Sequence, residues 1–269
     1  MKILKDINGL KKALYLQSNL GFVPTMGGLH KGHISLIKES QKKCKKTLVS
    51  IFINPKQFNK NKDFLTYPKN FKKDLIILKK LKVNLVFLPK SKEIFKKGYK
   101  KNFLPQSQKK LCAKYRKGHF EGVLDVMEQF VKIINPKYIF MGKKDFQQIF
   151  LVNKYIVKKY NSKIFKCETI RDKNFAALST RNLLLGNKNL KKVGYIAKNI
   201  YKFKQKLRNK KKIKKYLYEK KKELIEQFNI RLEYLEVLNE SDLNIYNHKK
   251  KFRIFIAYYL NKIRLIDNF

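Results

Sequence analysis

Through the first two-thirds of the chain, short apolar runs alternate with stretches whose apolar residues recur every three or four positions. "GFVPT" (21–25), "TLVSIFI" (47–53), "NLVFLP" (84–89), "KYIFMG" (137–142) and "KIFKCET" (163–169) read as strands. The unbroken β-branched and aromatic run at 47–53 suits a strand covered on both faces of a parallel sheet. Between these runs, 32–46, 70–82, 123–134 and 145–160 carry helical spacing, and Asn135-Pro136 ends the third of them. Alternation of this kind predicts a doubly wound, Rossmann-like α/β domain with a parallel sheet. Ligands of such sheets bind beyond the carboxyl ends of the strands, near the switch point. Past residue 170 the pattern changes: two lysine-rich helical stretches, 187–207 and 211–228, precede the strand-like "RLEYLEVLN" and "KFRIFIAYYL". We expect residues 1–170 to form the α/β domain and residues 171–269 a smaller α+β domain.

Composition narrows the setting. At 269 residues the chain can bury a sizeable core. No run approaches the ~18 uncharged apolar residues of a membrane span. The opening "MKILKDINGLKKAL" interrupts its apolar pattern with charges and lacks the apolar stretch of a signal peptide. Cys44, Cys112 and Cys167 are odd in number and widely spaced, a poor disulfide framework and a poor zinc site. A cytoplasmic location follows as the expectation, with no membrane partner.

Charge changes the picture more. Lys+Arg number 65 against 19 Asp+Glu, a formal net charge of +46. Such a balance invites a nucleic-acid reading, because neutralising phosphates releases counterions. Arginine, the usual bidentate reader, occurs only at 116, 171, 181, 208, 231, 253 and 264. The lysines are spread along the chain, densest in "NKKKIKKYLYEKKKEL" (209–224). The favoured residues share A/T-rich codons, so we read genomic base bias as the source of much of the charge. Its expected consequence is a preference for small anionic substrates and weak, salt-sensitive adhesion to nucleic acid, without a specific nucleic-acid partner.

The most informative stretch is "PTMGGLHKGH" (24–33). Strand 21–25 runs into Gly27-Gly28, where the lack of Cβ lets backbone approach a ligand closely. Helix-start amides near Gly32 and His33 form a ready anion site, with His30 and His33 at its mouth. Two structural histidines beside a turn are the plainer alternative, and a zinc site is weaker because no third ligand stands at recognisable spacing.

The stretch resembles the HxGH signature of the nucleotidylyltransferase superfamily, and in its longer form that of the pantothenate synthetase family. Further segments resemble that family in order: "VSIFINPKQF" (49–58), "YPKNFKKDL" (67–75), "RKGHFEGV" (116–123), "FMGKKDFQQ" (140–148), "TIRDKNFAALSTRN" (169–182) and "RLIDN" (264–268). The resemblance implies condensation of pantoate with β-alanine, driven by ATP through a pantoyl-adenylate, with AMP and diphosphate released. It also implies a homodimer, and Mg²⁺ carried on the ATP phosphates with no dedicated protein ligands.

The same resemblance assigns the residues. ATP falls to Met26, Gly27, Gly28, Leu29, His30, Lys31, Gly32 and His33, to Gly142, Lys143, Lys144 and Asp145, and to Ile170, Leu178, Ser179, Thr180 and Arg181. His30, His33 and Lys144 would be catalytic: His33 as proton donor or transition-state stabiliser, the other two as phosphate ligands. Pantoate falls to Gln57 and Gln148, and β-alanine to Gln57. Asn54, Arg116, His119 and Arg171 would support the site, His119 either there or as a cap for the following helix. The residues from 171 on would close over ATP. Departures from the family pattern are Lys143 for an acid, Asn174-Phe175-Ala176 for Asp-Gly-Leu, Asp125 for threonine, Thr180 for serine and Lys117 for proline. Phe175 would strain its turn if that position needs positive φ. Two rival readings are another HxGH nucleotidylyltransferase with a different acceptor acid, and a lysine-rich nucleic-acid-binding protein.

Overall fold

A computed structural model describes residues 1–59, 61–207, 213–247 and 250–269. Arg208 and the opening of the lysine-rich run at 209–224 lie outside the described residues. The chain divides into two compact units, Met1–Glu168 and Thr169–Phe269.

The first unit holds strands β1 (Lys2–Leu4), β2 (Leu20–Thr25), β3 (Lys46–Ile51), β4 (Leu85–Phe87), β5 (Tyr138–Gly142) and β6 (Lys163–Cys167). Its helices are α1 (Ile7–Leu14), α2 (Lys31–Lys43), α3 (Asn61–Leu65), α4 (Phe71–Lys80), α5 (Ser91–Ile94), α6 (Cys112–Tyr115), α7 (His119–Ile134) and α8 (Phe146–Tyr155). All strand pairings are parallel, in the order β1-β4-β3-β2-β5-β6. The chain steps from β2 through β3 to β4 on one side, then returns to place β5 on the other. The switch point therefore lies between β2 and β5.

The strands are apolar on both faces because both are covered. On one face Val23, Val49, Val86 and Phe140 pack with Ile37 of α2 and Leu78 of α4. On the other, Phe130 of α7 makes edge-on contacts with Phe22 at 5.4 Å, Phe52 at 6.1 Å and Phe87 at 6.3 Å. The doubly wound parallel sheet expected from the pattern is thus the observed one. Strand β1 was not foreseen; Lys2 and Lys5 hide three residues that pair with Leu85–Phe87 at the sheet edge. Helix α7 begins four residues before the expected 123, because Gly118 turns at φ 73 and lets His119 start it. A mid-helix glycine at 122, a poor helix former, masks that first turn in the sequence. Helix α8 stops at Tyr155, and the rest of the expected helix is a 3₁₀ turn, Val157–Lys159.

In the second unit, β7 (Arg231–Asn239), β8 (Phe252–Leu260) and β9 (Ile263–Asn268) form an antiparallel sheet. Helices α9 (Asn187–Leu207) and α10 (Ile213–Phe228) pack with it through Ile196, Ile200, Leu224, Leu235, Ile254 and Ile256. This is the smaller α+β unit expected, with one strand more than anticipated. Cys44, Cys112 and Cys167 are buried thiols. Among the described residues, no helix is long and apolar enough to cross a membrane.

Candidate active site

Three loops leave the carboxyl ends of β2, β3 and β5. The first is the histidine loop. Thr25 ends β2 by donating its hydroxyl to the Ser50 carbonyl at 2.7 Å and accepting from Gly27 N at 3.2 Å. Gly27 and Gly28 turn at φ 80 and 63, left-handed values that side chains resist. A Cβ on Gly27 would lie 3.0 Å from Asp74 Oδ2 and 3.1 Å from Ile51 Cγ2. The buried Asp74, from the first turn of α4, accepts Gly28 N at 2.9 Å and Leu29 N at 2.8 Å.

His30 and His33 then cap α2 reciprocally. Gly32 N donates to His30 Nδ1 at 3.1 Å and His30 N to His33 Nδ1 at 3.3 Å. This is a capping box built from imidazoles. Because both Nδ1 atoms accept, each ring's proton sits on Nε2. Burial, then Lys144, lowers the pKa of His30 to about 4, with Asp145 opposing. Burial, then His30 and Lys144, lowers that of His33 to about 3. At neutral pH both rings are uncharged Nε2–H donors. A neutral imidazole gives a hydrogen bond to a developing oxyanion readily but gives up its last proton very reluctantly. The stabilising role therefore fits His33 better than the proton-donor role. The amides of Gly27, Gly28, Leu29, His30 and Gly32 are all bonded within this framework. Side-chain donors, more than the helix-start amides first expected, are what the loop offers an anion.

The second loop carries Asn54 and Gln57 in the 3₁₀ turn Pro55–Gln57. The buried Asn54 sends Nδ2 to the Gly122 carbonyl at 2.8 Å and to Gln57 Oε1 at 3.4 Å, while its Oδ1 accepts Lys56 N at 3.1 Å. Its polar groups thus hold the loop together. Gln57 Nε2 contacts Met26 Sδ, joining this loop to the histidine loop. Gly122 is required here, since a Cβ would collide with the Lys56 carbonyl. His119 does not cap its own helix; its Nδ1 reaches the Gln57 carbonyl at 2.7 Å, beside Arg116.

The third loop follows β5. Lys144 pairs with Asp145 at 3.2 Å, and its charge contributes to the shifts at both histidines. Lys143, the base in place of an acid, forms an ion pair with Glu168. Adjacent strand ends β5 and β6 bring them together, since Gly142 pairs with Cys167. Gln148 is half-buried in the first turn of α8. Its neighbour Gln147 brackets Leu111, accepting Cys112 N at 3.1 Å and donating to the Lys110 carbonyl at 2.7 Å. Leu111 sits at φ 48, a strained conformation for a leucine. Asp125, in place of threonine, accepts Asn102 N at 2.6 Å and the Tyr99 hydroxyl at 3.3 Å.

The remaining expected ATP ligands lie on the second unit. Leu178 N donates to the Ile170 carbonyl at 2.9 Å. Ser179 caps the 3₁₀ turn Thr180–Leu184 by accepting Arg181 N at 3.3 Å, with Thr180 buried. Arg171 is held by Asp267 at 2.7 and 3.0 Å, donates to the Phe175 carbonyl at 3.1 Å, and lies between the rings of Phe175 and Phe269. Its observed contacts brace the 171–177 hairpin against β9. Asp74 and Gln147 were missed as site residues. Asp74 left one signal, a lone acid in a lysine-rich helix start behind a capping Asn70.

Uncharged imidazole donors and a lysine, gathered around the switch point of a parallel sheet behind a glycine turn, define a nucleotide-handling α/β enzyme of the HxGH kind. The family model for pantoate-beta-alanine ligase matches residues 2–269, and the chain belongs to that family. Pantothenate synthetase of Francisella tularensis subsp. novicida (strain U112) is 36% identical over 273 residues, 99% of this chain and 95% of that protein. Pantoate-beta-alanine ligase from Francisella tularensis, in a crystal structure complexed with beta-gamma ATP and beta-alanine, is 33% identical. That alignment covers 100% of this chain and 97% of the other, with a TM-score of 0.81. Pantothenate synthetase from Thermus thermophilus is 26% identical, covers 100% of this chain and 99% of its own, and gives a TM-score of 0.91.

Proposed function

We propose that this chain joins pantoate to β-alanine through a pantoyl-adenylate, using the residues gathered at the ends of β2, β3 and β5. A carboxylate oxygen of pantoate attacks the α-phosphorus of ATP, and the bond to the bridging oxygen of diphosphate breaks. The β-alanine nitrogen, having shed a proton, then attacks the acyl carbon, and the C–O bond to AMP breaks. Negative charge grows on the phosphate oxygens in the first step. The Nε2–H groups of His30 and His33 and the Lys144 ammonium meet that charge. Gln57 and Gln148 hold pantoate, and Gln57 also borders the β-alanine position. Asp145 takes the ribose, and Ser179, Thr180 and Arg181 supply further phosphate contacts.

The observation that carries this reading is the reciprocal histidine cap, joined to the Gln57 loop through Met26. It fixes two proton positions before any substrate arrives, which is preorganisation of the kind such a step needs. Among the described residues, no group of three His, Cys, Asp or Glu side chains is placed to hold a metal ion. Mg²⁺ in this reading stays on phosphate oxygens and water. A homodimer in the cytoplasm completes it, and the solution mass tests the dimer.

The deciding experiment measures AMP and diphosphate release from Mg-ATP with pantoate and β-alanine each supplied or withheld. Release that requires both, with pantothenate formed, supports the reaction; pantoate-dependent ATP–diphosphate exchange without β-alanine supports the adenylate. Release driven by another acid in place of pantoate would favour the rival acceptor. His33→Ala is expected to lower kcat by roughly 10²-fold with little change in the pantoate KM, as loss of a transition-state donor does. Unchanged turnover would remove His33 from the mechanism. Gln57→Ala and Gln148→Ala are instead expected to raise the pantoate KM.

A further inference from the structure

The carbonyl of Gln57 is gripped from outside its own turn. His119 Nδ1 lies 2.7 Å from it and Arg116 Nη2 lies 3.3 Å from it, while Arg116 Nη1 stands 2.8 Å from His119 Nε2. Guanidinium has only donors and keeps its charge. His119 Nε2 must therefore present its lone pair to Arg116, and the ring proton must sit on Nδ1, aimed at the carbonyl. This is the opposite tautomer to that of His30 and His33, and the guanidinium is what selects it.

A three-residue 3₁₀ turn does little to orient its own side chains. Here the orientation comes from neighbours. Asn54 ties the turn to Gly122, and the Lys56 ammonium lies 4.1 Å from the ring centre of Phe95 and 4.0 Å from that of Tyr99. The Arg116–His119 grip acts directly on the residue whose amide faces Asn54 and Met26. Both ring nitrogens of His119 are engaged within the protein, so its contribution runs through Gln57.

We propose that Arg116 and His119 are positioning residues that set the Gln57 amide for pantoate, with His119 as the donor and Arg116 as the selector of its tautomer. This rests on the reading of Gln57 as a pantoate ligand. The test compares His119→Asn, His119→Gln and His119→Ala in steady-state kinetics, with thermal unfolding and ATP binding confirming that each is folded. Asparagine places its amide donor near the position of Nδ1, whereas glutamine reaches toward that of Nε2. His119→Gln and His119→Ala are expected to raise the pantoate KM about tenfold, the effect of one lost hydrogen bond. The ATP KM should stay within about twofold, and His119→Asn should recover most of the pantoate KM. In a Gln57→Ala background, His119→Ala should add nothing further. Equal defects in the asparagine and glutamine variants, a parallel rise in the ATP KM, or full additivity with Gln57→Ala would each overturn the proposal. A Gln57→Ala enzyme with the parent's pantoate KM overturns instead the assignment of Gln57 on which it rests.

Discussion

Two turns in this molecule demand left-handed backbone and answer the demand differently. In the histidine loop the positions are filled by Gly27 and Gly28; in the 171–177 hairpin Phe175 takes φ 80. The difference lies in what surrounds each turn. Beside Gly27, a methyl group would press on Asp74 and Ile51 at 3.0 and 3.1 Å, so those side chains would have to give way. Beside Phe175 there is room for a ring, which stacks 4.7 Å from the Arg171 guanidinium and meets Tyr201 edge-on at 5.6 Å. Positive φ alone does not require glycine. It requires glycine where the space is already taken, and elsewhere packing can offset the strain.

That contrast can be broken at several points. The largest effect is expected from Asp74→Ala, which removes the carboxylate that accepts from the buried Leu29 amide and the half-buried Gly28 amide. Losing both bonds costs roughly 2–5 kcal/mol, read as a lowered urea midpoint. A midpoint equal to the parent's would mean that the carboxylate is not what holds the turn. Gly27→Ala combines positive φ with contact against Asp74, and should cost about 2–3 kcal/mol.

At Phe175 the order should invert. Phe175→Ala loses the ring and keeps the strain, for about 1–2 kcal/mol. Phe175→Gly recovers about 1 kcal/mol of strain and should unfold at higher urea than the alanine variant. An alanine variant more stable than the glycine one would show that packing decides this turn alone.

The remaining effect is a slope, felt only under acid. The pKa values of His30 and His33 in the folded chain, about 4 and about 3, lie below the 6.5 of the unfolded side chain. The unfolded state thus binds more protons across the interval between them. The stability contributed by keeping the rings neutral is fully present above pH 6.5 and drains away as pH falls toward 3. His30→Asn, which caps a helix without titrating, should flatten part of that acid slope in pH-dependent unfolding. An unchanged slope would move its origin away from His30.

What could be read from the sequence follows the range of the interaction. The run at 47–53 declares a buried parallel strand by itself, and "PTMGGLHKGH" declares a strand, a turn and a helix start within ten residues. Phe175 could be flagged as a conditional strain because the turn is local. Asp74 could not be assigned, since its partners stand 46 and 45 positions away. Nor could the partner of Lys143, because Glu168 meets it only after β5 and β6 pair. The start of α7 was obscured by a glycine whose reason is the Lys56 carbonyl on another loop. Helical and strand periods are written locally. The contacts that aim a side chain are written in two places at once, and only the fold joins them.

The imidazole cap has one more consequence. Two histidines three apart at a helix start would ordinarily invite chelation by zinc, nickel or copper. A metal must take a ring lone pair, and here both Nδ1 lone pairs are already held by backbone amides of the helix start. To ligate through Nε2 instead, each ring would have to move its proton to Nδ1 and so abandon the amide it holds. The bonds that hold both rings as Nε2–H donors therefore keep both Nδ1 lone pairs on backbone amides of the helix start.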